Sequence, residues 1–460
     1  MNLYALLQRR LEETGKPVAV GLIGAGKFGS MFLAQIPKTR GIRLAALADL
    51  DGARAVRALQ NTGWSEEAIA ETAILEDSRA LIARNDVEVV VDACGNPAAG
   101  ISHALAAAKY GKHIVMANVE ADVLAGPLLA ETCRKAGVVY SMAYGDQPAL
   151  VAEMVDWARA CGLEVVAAGK GTKFLPIYHA STPDTVWTYY GLTPEQAAAA
   201  GMNPQMFNSF LDGTKSALEM AAIANATGLA VPEGFSFPPC GVDDLPQVLR
   251  PKAEGGQLRH RGQVEVVSCV ERDGRPVFRD LRWGVYVVFT GGEGVGGAYT
   301  DACFRQYGMV TDSSGHYAAI YKPYHLIGLE LGISILSVAL RGEPTGETRA
   351  FNGDVAATAK RALKAGEVLD GEGGHCVRGC LLPAETSLAR GCLPIGLAHG
   401  VRLKRDIAEG AAVGWDDVEI GDNKETVRVR REMEAAFSRT LAAEDRQPTL
   451  RHLGRLTLCS

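Results

Sequence analysis

The chain has 460 residues, room for about three domains at ~150 residues each. Apolar residues make up 47% and charged residues 22%, the profile of a soluble globular protein that can bury a real core. Lys plus Arg number 47 against 53 Asp plus Glu, a net charge of −6, so no basic surplus exists to release counterions from nucleic acid, and that class of partner is excluded.

The opening residues place Leu3, Leu6, Leu7 and Leu11 at helical spacing, with Arg9 and Arg10 between them. Such a pattern predicts an amphipathic helix; it has no apolar core segment or small-residue cleavage site, so no secretory leader is expected. From there to residue 145 the chain alternates. Apolar runs at 18–23, 42–48, 87–93, 113–117 and 138–142 predict strands buried on both faces, and helical patterns at 31–36, 101–110 and 121–136 lie between them. That alternation predicts an α/β fold with a doubly wound parallel sheet.

Directly after the first strand comes Gly24-Ala25-Gly26-Lys27-Phe28-Gly29, opening a helix, and Asp49 ends the next strand. This is the full context of a dinucleotide-binding Rossmann fingerprint. Gly24 permits a tight turn, Gly26 lets the backbone approach the pyrophosphate, and Gly29 lets helix and strand pack closely. The helix start, with Lys27 and Phe28, turns N–H groups toward the phosphates. Asp49 would accept the ribose hydroxyls of NAD, whereas Arg54 would hold the 2′-phosphate of NADP, so both cofactors stay open. Two later strand ends carry Gly95-Asn96 and Asn118, at the sheet edge where such folds bind ligands; ordinary turn chemistry explains those residues equally well.

A second region, 146–345, predicts an α+β layout, with helices at 149–161 and 194–201 before strands at 264–270 and 285–290. The apolar stretch 324–340 predicts a helix packing back on the first domain; it contains Glu330 and is too short to span a bilayer. A third region, 346–421, carries short β patterns punctuated by Gly, and 422–460 predicts a charged helix with a tail. The ten Cys show no disulfide framework, as in a reducing cytoplasm. His375, Cys376, Cys380, Cys392 and His399 offer zinc-type ligands, yet they lack the usual knuckle spacing, and buried thiols are the expected reading.

Several motifs carry a family resemblance. Val115-Met116-Ala117-Asn118, GKGTKF at 169–174 and Asp212-Gly213-Thr214-Lys215 resemble the T-A-N-K, N-G-T-x-N and D-G-x-D-x-x-x-K elements of homoserine dehydrogenases. The run ending in Trp415-Asp416-Asp417-Val418 resembles a SAF module, the small β-rich fold also found in sialic acid synthases and altronate dehydratases. GDQPALVAEMVDWAR, AAGKGTKFLP and TDSSGHYAAIYKPYHLIGLELG, together with that module, resemble the DXR-like (DRL) oxidoreductases over nearly the whole chain. The resemblance implies a Rossmann domain, an α+β catalytic domain and a SAF domain. It also implies NADPH-dependent conversion of 1-deoxy-D-xylulose 5-phosphate to 2-C-methyl-D-erythritol 4-phosphate, an isoprenoid-precursor step. An amino-acid dehydrogenase acting on homoserine is the alternative.

Such a reaction needs fixed cations or a metal near the substrate oxygens, and an acid for the product alkoxide. Lys170 and Lys173 flank Gly171-Thr172 after a predicted strand at 163–168 and are the first candidates; surface lysines are the bland alternative. Lys215 and Glu219, four apart on a helix, share a face and suit an acid/base pair or a plain ion pair. Asp146 is expected to cap the following helix, or to offer oxygen to a divalent metal. Arg305, His316 and Lys322 are candidate substrate ligands, Arg305 and Lys322 for a phosphate. The expected partners are a small-molecule substrate and identical subunits in a homo-oligomer, with neither membrane nor nucleic acid. The SAF module is expected to cover the substrate cleft or make a subunit contact.

Overall fold

The computed structural model describes residues 2–421 and 424–445. Strands β1 (Val18–Ile23), β2 (Ile42–Ala48), β3 (Ala73–Leu75), β4 (Val89–Asp92), β5 (His113–Met116) and β6 (Tyr140–Met142) form one parallel sheet in the order β3-β2-β1-β4-β5-β6. Near-continuous Val, Ile, Leu and Ala runs suit strands covered on both faces. The edge strand β3 is not marked by the sequence because its apolar run, Ala73-Ile74-Leu75, is only three half-buried residues long.

Helix Lys27–Leu33 opens directly on the glycine loop, four residues before the predicted start. The predicted helix 324–340 forms only over Gly332–Arg341. Its first half is held as turns, with Gly328 at φ +76° pressed so closely on Phe28 O and Met31 that a Cβ would sit 2.8 Å from each. Leu331, Ile335 and Val338 join Leu3 and Leu7 of the N-terminal helix in the apolar layer over β1, β4 and β5, so this helix does pack on the first domain.

The second sheet runs β10-β11-β9-β7-β8, with β7 Glu164–Thr172, β8 Gln263–Ser268, β9 Val285–Thr290, β10 Val310–Thr311 and β11 Ala318–Lys322. Helices Gln147–Ala160 and Thr214–Thr227 pack against it, and the latter also touches the third domain. That domain pairs β12 (Gly353–Ala359) with β14 (Val377–Pro383), and β13 (Val368–Asp370) with β15 (His399–Leu403), which pairs β16 (Val418–Glu419).

Buried polar bonds fix this third domain in place. Lys360 reaches Asp212 Oδ2 at 2.7 Å and donates to Ser181 O and Gly374 O. Asn208 donates to Gly373 O at 2.8 Å, and Gly379 N donates to Thr214 Oγ1 at 2.8 Å. The C-terminal helix Glu425–Asp445 packs on helices of the first domain, its buried Arg430 donating to Asp354 Oδ2 at 2.7 Å and to Leu124 O. The predicted tail lies outside the described residues. No helix among them is long and apolar enough to cross a membrane.

Candidate active site

The glycine loop has the geometry its sequence requires. Gly24 sits at φ +101°, and a Cβ there would fall 2.7 Å from Ala93 O. A Cβ on Gly29 would fall 2.1 Å from Gly24 O, so only glycine lets this helix lie so close to the strand. Over Gly26 a Cβ would meet nothing within 4 Å, which is the room a pyrophosphate needs. The residues present therefore fit a nicotinamide dinucleotide.

Asp49 is more occupied than its sequence role implies. Oδ2 accepts from Ala25 N at 2.8 Å, while Oδ1 accepts from Asp51 N at 3.0 Å and from Arg54 Nε at 3.0 Å. Burial works against its charge, but those backbone N–H groups and the guanidinium outweigh it and hold the pKa below the ordinary value. Asn96 and Asn118 are both helix N-caps, accepting from Ala99 N at 3.0 Å and Ala121 N at 3.1 Å. Asn118 Nδ2 also donates to Asn96 O at 2.8 Å, tying the two strand-end loops together, and Gly95 supplies the φ of +67° at the turn.

Beyond these loops lies a charged cluster at the junction of the three domains. β7 runs through Thr172, so Lys170 lies inside the strand and not in a loop after it. Gly169 and Gly171 flank it because Cβ atoms there would lie 1.9 Å from Glu265 O and Leu281 O on the crowded face. Lys170 points the other way. Its buried ammonium pairs with Glu219 and donates to Gln147 Oε1 at 3.0 Å.

Lys215 and Glu219 share a helix face as expected but do not pair with each other: Lys215 binds Glu120 Oε1 at 2.5 Å. Burial opposes the Lys215 charge, yet Glu120, Glu372, Glu219 and Asp146 together push its pKa above the ordinary value. Asp146 caps the next helix, accepting from Gln147 N at 2.9 Å. Burial first, then the charge of Glu219, raises its pKa, against Lys215 and His325.

Lys322 stands across β9 from Lys170, since both residues face Val285, and opposed residues of an antiparallel ladder share a face. It pairs with Glu330 at 2.6 Å beneath the rings of Tyr144 and Tyr324.

Three expected residues lie elsewhere. Lys173 follows the strand's end and turns into an aromatic nest, donating to Tyr189 O beside the rings of Tyr178 and Tyr190; burial, then Arg282, lowers its pKa. Arg305 donates to Asp312 O and Ser313 O, and His316 Nδ1 lies 2.6 Å from Asp301 Oδ2. His316 sits by Thr290, at the far end of β9 and about 17 Å from Val285 at 3.4 Å per residue, and Arg305 bonds the turn just before His316. Strand direction separates them from the cluster, so the placement argues against substrate contact.

No set of three metal-ligating side chains gathers at Asp146 or among the SAF-region thiols; among the described residues one such set exists, Asp92, Cys94 and His103. Its members already bond one another, His103 Nδ1 lying 2.8 Å from Asp92 Oδ2 and Cys94 N donating to Asp92 Oδ1. A metal at Asp146 does not fit this arrangement. Glu120, Gln147 and Glu372, absent from the sequence candidates, belong to the cluster. Glu120 lay in a strand-end loop that the sequence marks, whereas nothing in the GEVLDGEGG stretch singles out Glu372.

Residues 145–331 match the family model of the oxidoreductase DRL catalytic domain, residues 24–140 that of the homoserine dehydrogenase NAD-binding domain, and residues 355–419 that of the SAF domain. The architecture is that of the DRL oxidoreductases. A chain of the DRL architecture is an NAD(P)-dependent oxidoreductase, with the cofactor domain first and the catalytic domain second.

Solved structures are similar to the chain only at a distance. A probable dehydrogenase from Thermotoga maritima is 15% identical, with 71% of this chain and 90% of that chain covered and a TM-score of 0.38. An NAD binding oxidoreductase from Klebsiella pneumoniae is 19% identical over 68% of this chain and 67% of that one, at 0.32. A DOX-P reductoisomerase solved with magnesium is 19% identical over 47% of this chain and 58% of that one, at 0.33. No curated protein matches. Likeness at this level carries no argument about the substrate of the DRL-type chain.

Proposed function

We propose that the chain reduces a small hydroxycarbonyl compound of sugar-phosphate size with NADPH or NADH, holding the carbonyl oxygen at Lys170. The observation behind this reading is the free valence of that lysine. An ammonium group has three N–H donors. Glu219 and Gln147 take two, and among the described residues no third acceptor is bonded to it, which leaves that N–H for a substrate oxygen. Fixed by two acceptors on two helices, the ammonium is preorganised for charge that develops on that oxygen. The bound nicotinamide supplies the hydride. Gly24, Gly26 and Gly29 would hold its pyrophosphate, with Asp49 and Arg54 at the adenosine ribose. Lys322, on the same sheet face, is the cation placed to meet a phosphate.

1-Deoxy-D-xylulose 5-phosphate is the first substrate to try, in keeping with an isoprenoid-precursor role. Homoserine is disfavoured by one feature: Lys215 and Glu219 stand where the D-G-x-D-x-x-x-K element has an acid and then a base, so the charges are reversed. The test is kcat/KM for both compounds with each cofactor. Turnover of the phosphorylated hydroxyketone with no turnover of homoserine is expected; turnover of homoserine alone overturns the reading. A homo-oligomeric state belongs to the same proposal and is checked by light scattering.

A further inference from the structure

The strand end beside the glycine loop gathers three side chains of metal-ligand type. Asp92 closes β4, Cys94 lies two residues beyond it, and His103 comes from the following helix, Pro97–Tyr110. One oxygen, one sulfur and one nitrogen of these residues all lie within 4.8 Å of one another. Asp92 and His103 are buried, and Cys94 is half-buried.

Each ligand atom is oriented by a contact behind it. Asp92 Oδ1 accepts from Cys94 N at 2.9 Å, which turns Oδ2 to His103 Nδ1, 2.8 Å away. His103 Nε2 lies 2.8 Å from Ser78 Oγ, a hydroxyl that can accept the Nε2 proton and so leave the Nδ1 lone pair facing Asp92. Asn118 Nδ2 donates to Cys94 Sγ at 3.5 Å, a contact that favours the thiolate. Outer partners of this kind hold the ligands of bound ions in place. An Asp–His bond accounts for two members of the set. The thiol set against the same carboxylate gains little from it, because S–H is a weak donor.

We propose that Asp92, Cys94 and His103 form a binding site for a divalent transition-metal ion of the zinc class, with a fourth position left for water. On binding, the imidazole proton sits on Nε2 toward Ser78, Nδ1 and Asp92 Oδ2 turn their lone pairs to the ion, and the Cys94 thiol proton passes to solvent. Zinc bonds run about 2.3 Å to sulfur and about 2.0–2.2 Å to nitrogen and oxygen, which sets tetrahedral ligand atoms about 3.3–3.7 Å apart. Oδ2 and Nδ1 therefore part by about half an ångström, and Cys94 Sγ moves in by about 1 Å at most.

The donor set also selects the ion. Magnesium and calcium take oxygen ligands, whereas thiolate and imidazole suit zinc. Burial, then the charge of Asp92, raises the Cys94 pKa, so only a cation that bonds sulfur strongly frees that thiolate. An added Cβ on Gly24 would lie 2.7 Å from Ala93 O and 3.1 Å from Cys94 N, so the ion holds the segment against which the glycine turn closes.

The test uses the full chain, stripped with a chelator and dialysed against low-micromolar zinc alone, with bound metal read by elemental analysis. About one ion per chain is expected in the wild type, with a rise in Tm over the stripped protein. Ser78→Ala, which removes only an outer partner, is expected to weaken binding by about 10–100-fold, and Cys94→Ser, which removes a ligand, by more. Cobalt(II) in place of zinc is expected to give the wild type a thiolate charge-transfer band that Cys94→Ser lacks and that Cys376→Ser keeps.

A wild type that takes up no zinc overturns the site and leaves Asp92, His103 and Ser78 a plain hydrogen-bond chain. Uptake that survives Cys94→Ser and is lost in Cys376→Ser overturns it too, by moving the ion to the SAF-region thiols. Zinc binding unchanged in both Ser78→Ala and Cys94→Ser has the same force.

Discussion

The two ends of the second sheet carry similar chemistry and do different things. At one end Lys170, Val285 and Lys322 form a row beneath which helices, cofactor loops and the SAF module converge. At the other end Thr290, Asp301 and His316 form an equally well-bonded group, with His316 and Asp301 2.6 Å apart. A histidine–carboxylate pair looks more catalytic on paper than a buried lysine. Yet the bonding partners of His316 among the described residues, Asp301, Thr290 and Ser314, all belong to its own domain, whereas Lys170 pairs with Glu219 on the helix that packs against the third domain. Which end of a strand a residue occupies decides more here than which residue it is.

Five substitutions sharpen that contrast, in falling order of effect. Lys360→Met removes the cation from a buried clamp between the SAF module and Asp212. Leaving one partner of a buried pair alone costs roughly 3–5 kcal/mol, and urea unfolding should show a loss of that size. Lys170→Met strips the substrate oxygen of its donor. Turnover should fall by about 10²–10³-fold with cofactor fluorescence unchanged; wild-type turnover would move the chemistry elsewhere.

Asp49→Ala should weaken NADH and NADPH alike by about 1–3 kcal/mol in binding titrations, because the carboxylate braces Ala25 as well as facing the ribose. Arg54→Ala should weaken NADPH alone; a selective loss of NADH in Asp49→Ala would instead make ribose contact its main role. His316→Ala should cost no more than about 1 kcal/mol and leave kcat/KM unchanged, since its pair is partly exposed. A large kcat loss there would erase the distinction between the two ends.

These sites also show what a sequence can and cannot carry. The cofactor loop was legible because its constraints are local: Gly24 and Gly29 answer to atoms within a few residues or on the adjoining strand. β1 and β2 matched residue for residue, and the DRL architecture followed from long contiguous motifs. Lys170 was found through such a motif, but its environment was misjudged, since crowding from Glu265 and Leu281 extends the strand two residues past it and buries it. The pairing of Lys215 with Glu120, 95 positions away, leaves no trace in helical spacing. Glu372 reaches the cluster only because the SAF loop docks on Gln205, and no local pattern encodes that docking.

The helix Gly332–Arg341 has a consequence for how the molecule is made. Leu331, Ile335 and Val338 complete the apolar layer over β1, β4 and β5, and the opposite layer is capped by Glu425–Asp445 through Arg430. Chains emerge from the ribosome at about 5–20 residues per second, and N-terminal domains generally fold first. Here the sheet made first must wait for residue 341 to cover β1, β4 and β5 on one side. For several tens of seconds at the slower rate, the nascent Rossmann sheet stands with apolar surface bare, a natural client for chaperones during synthesis.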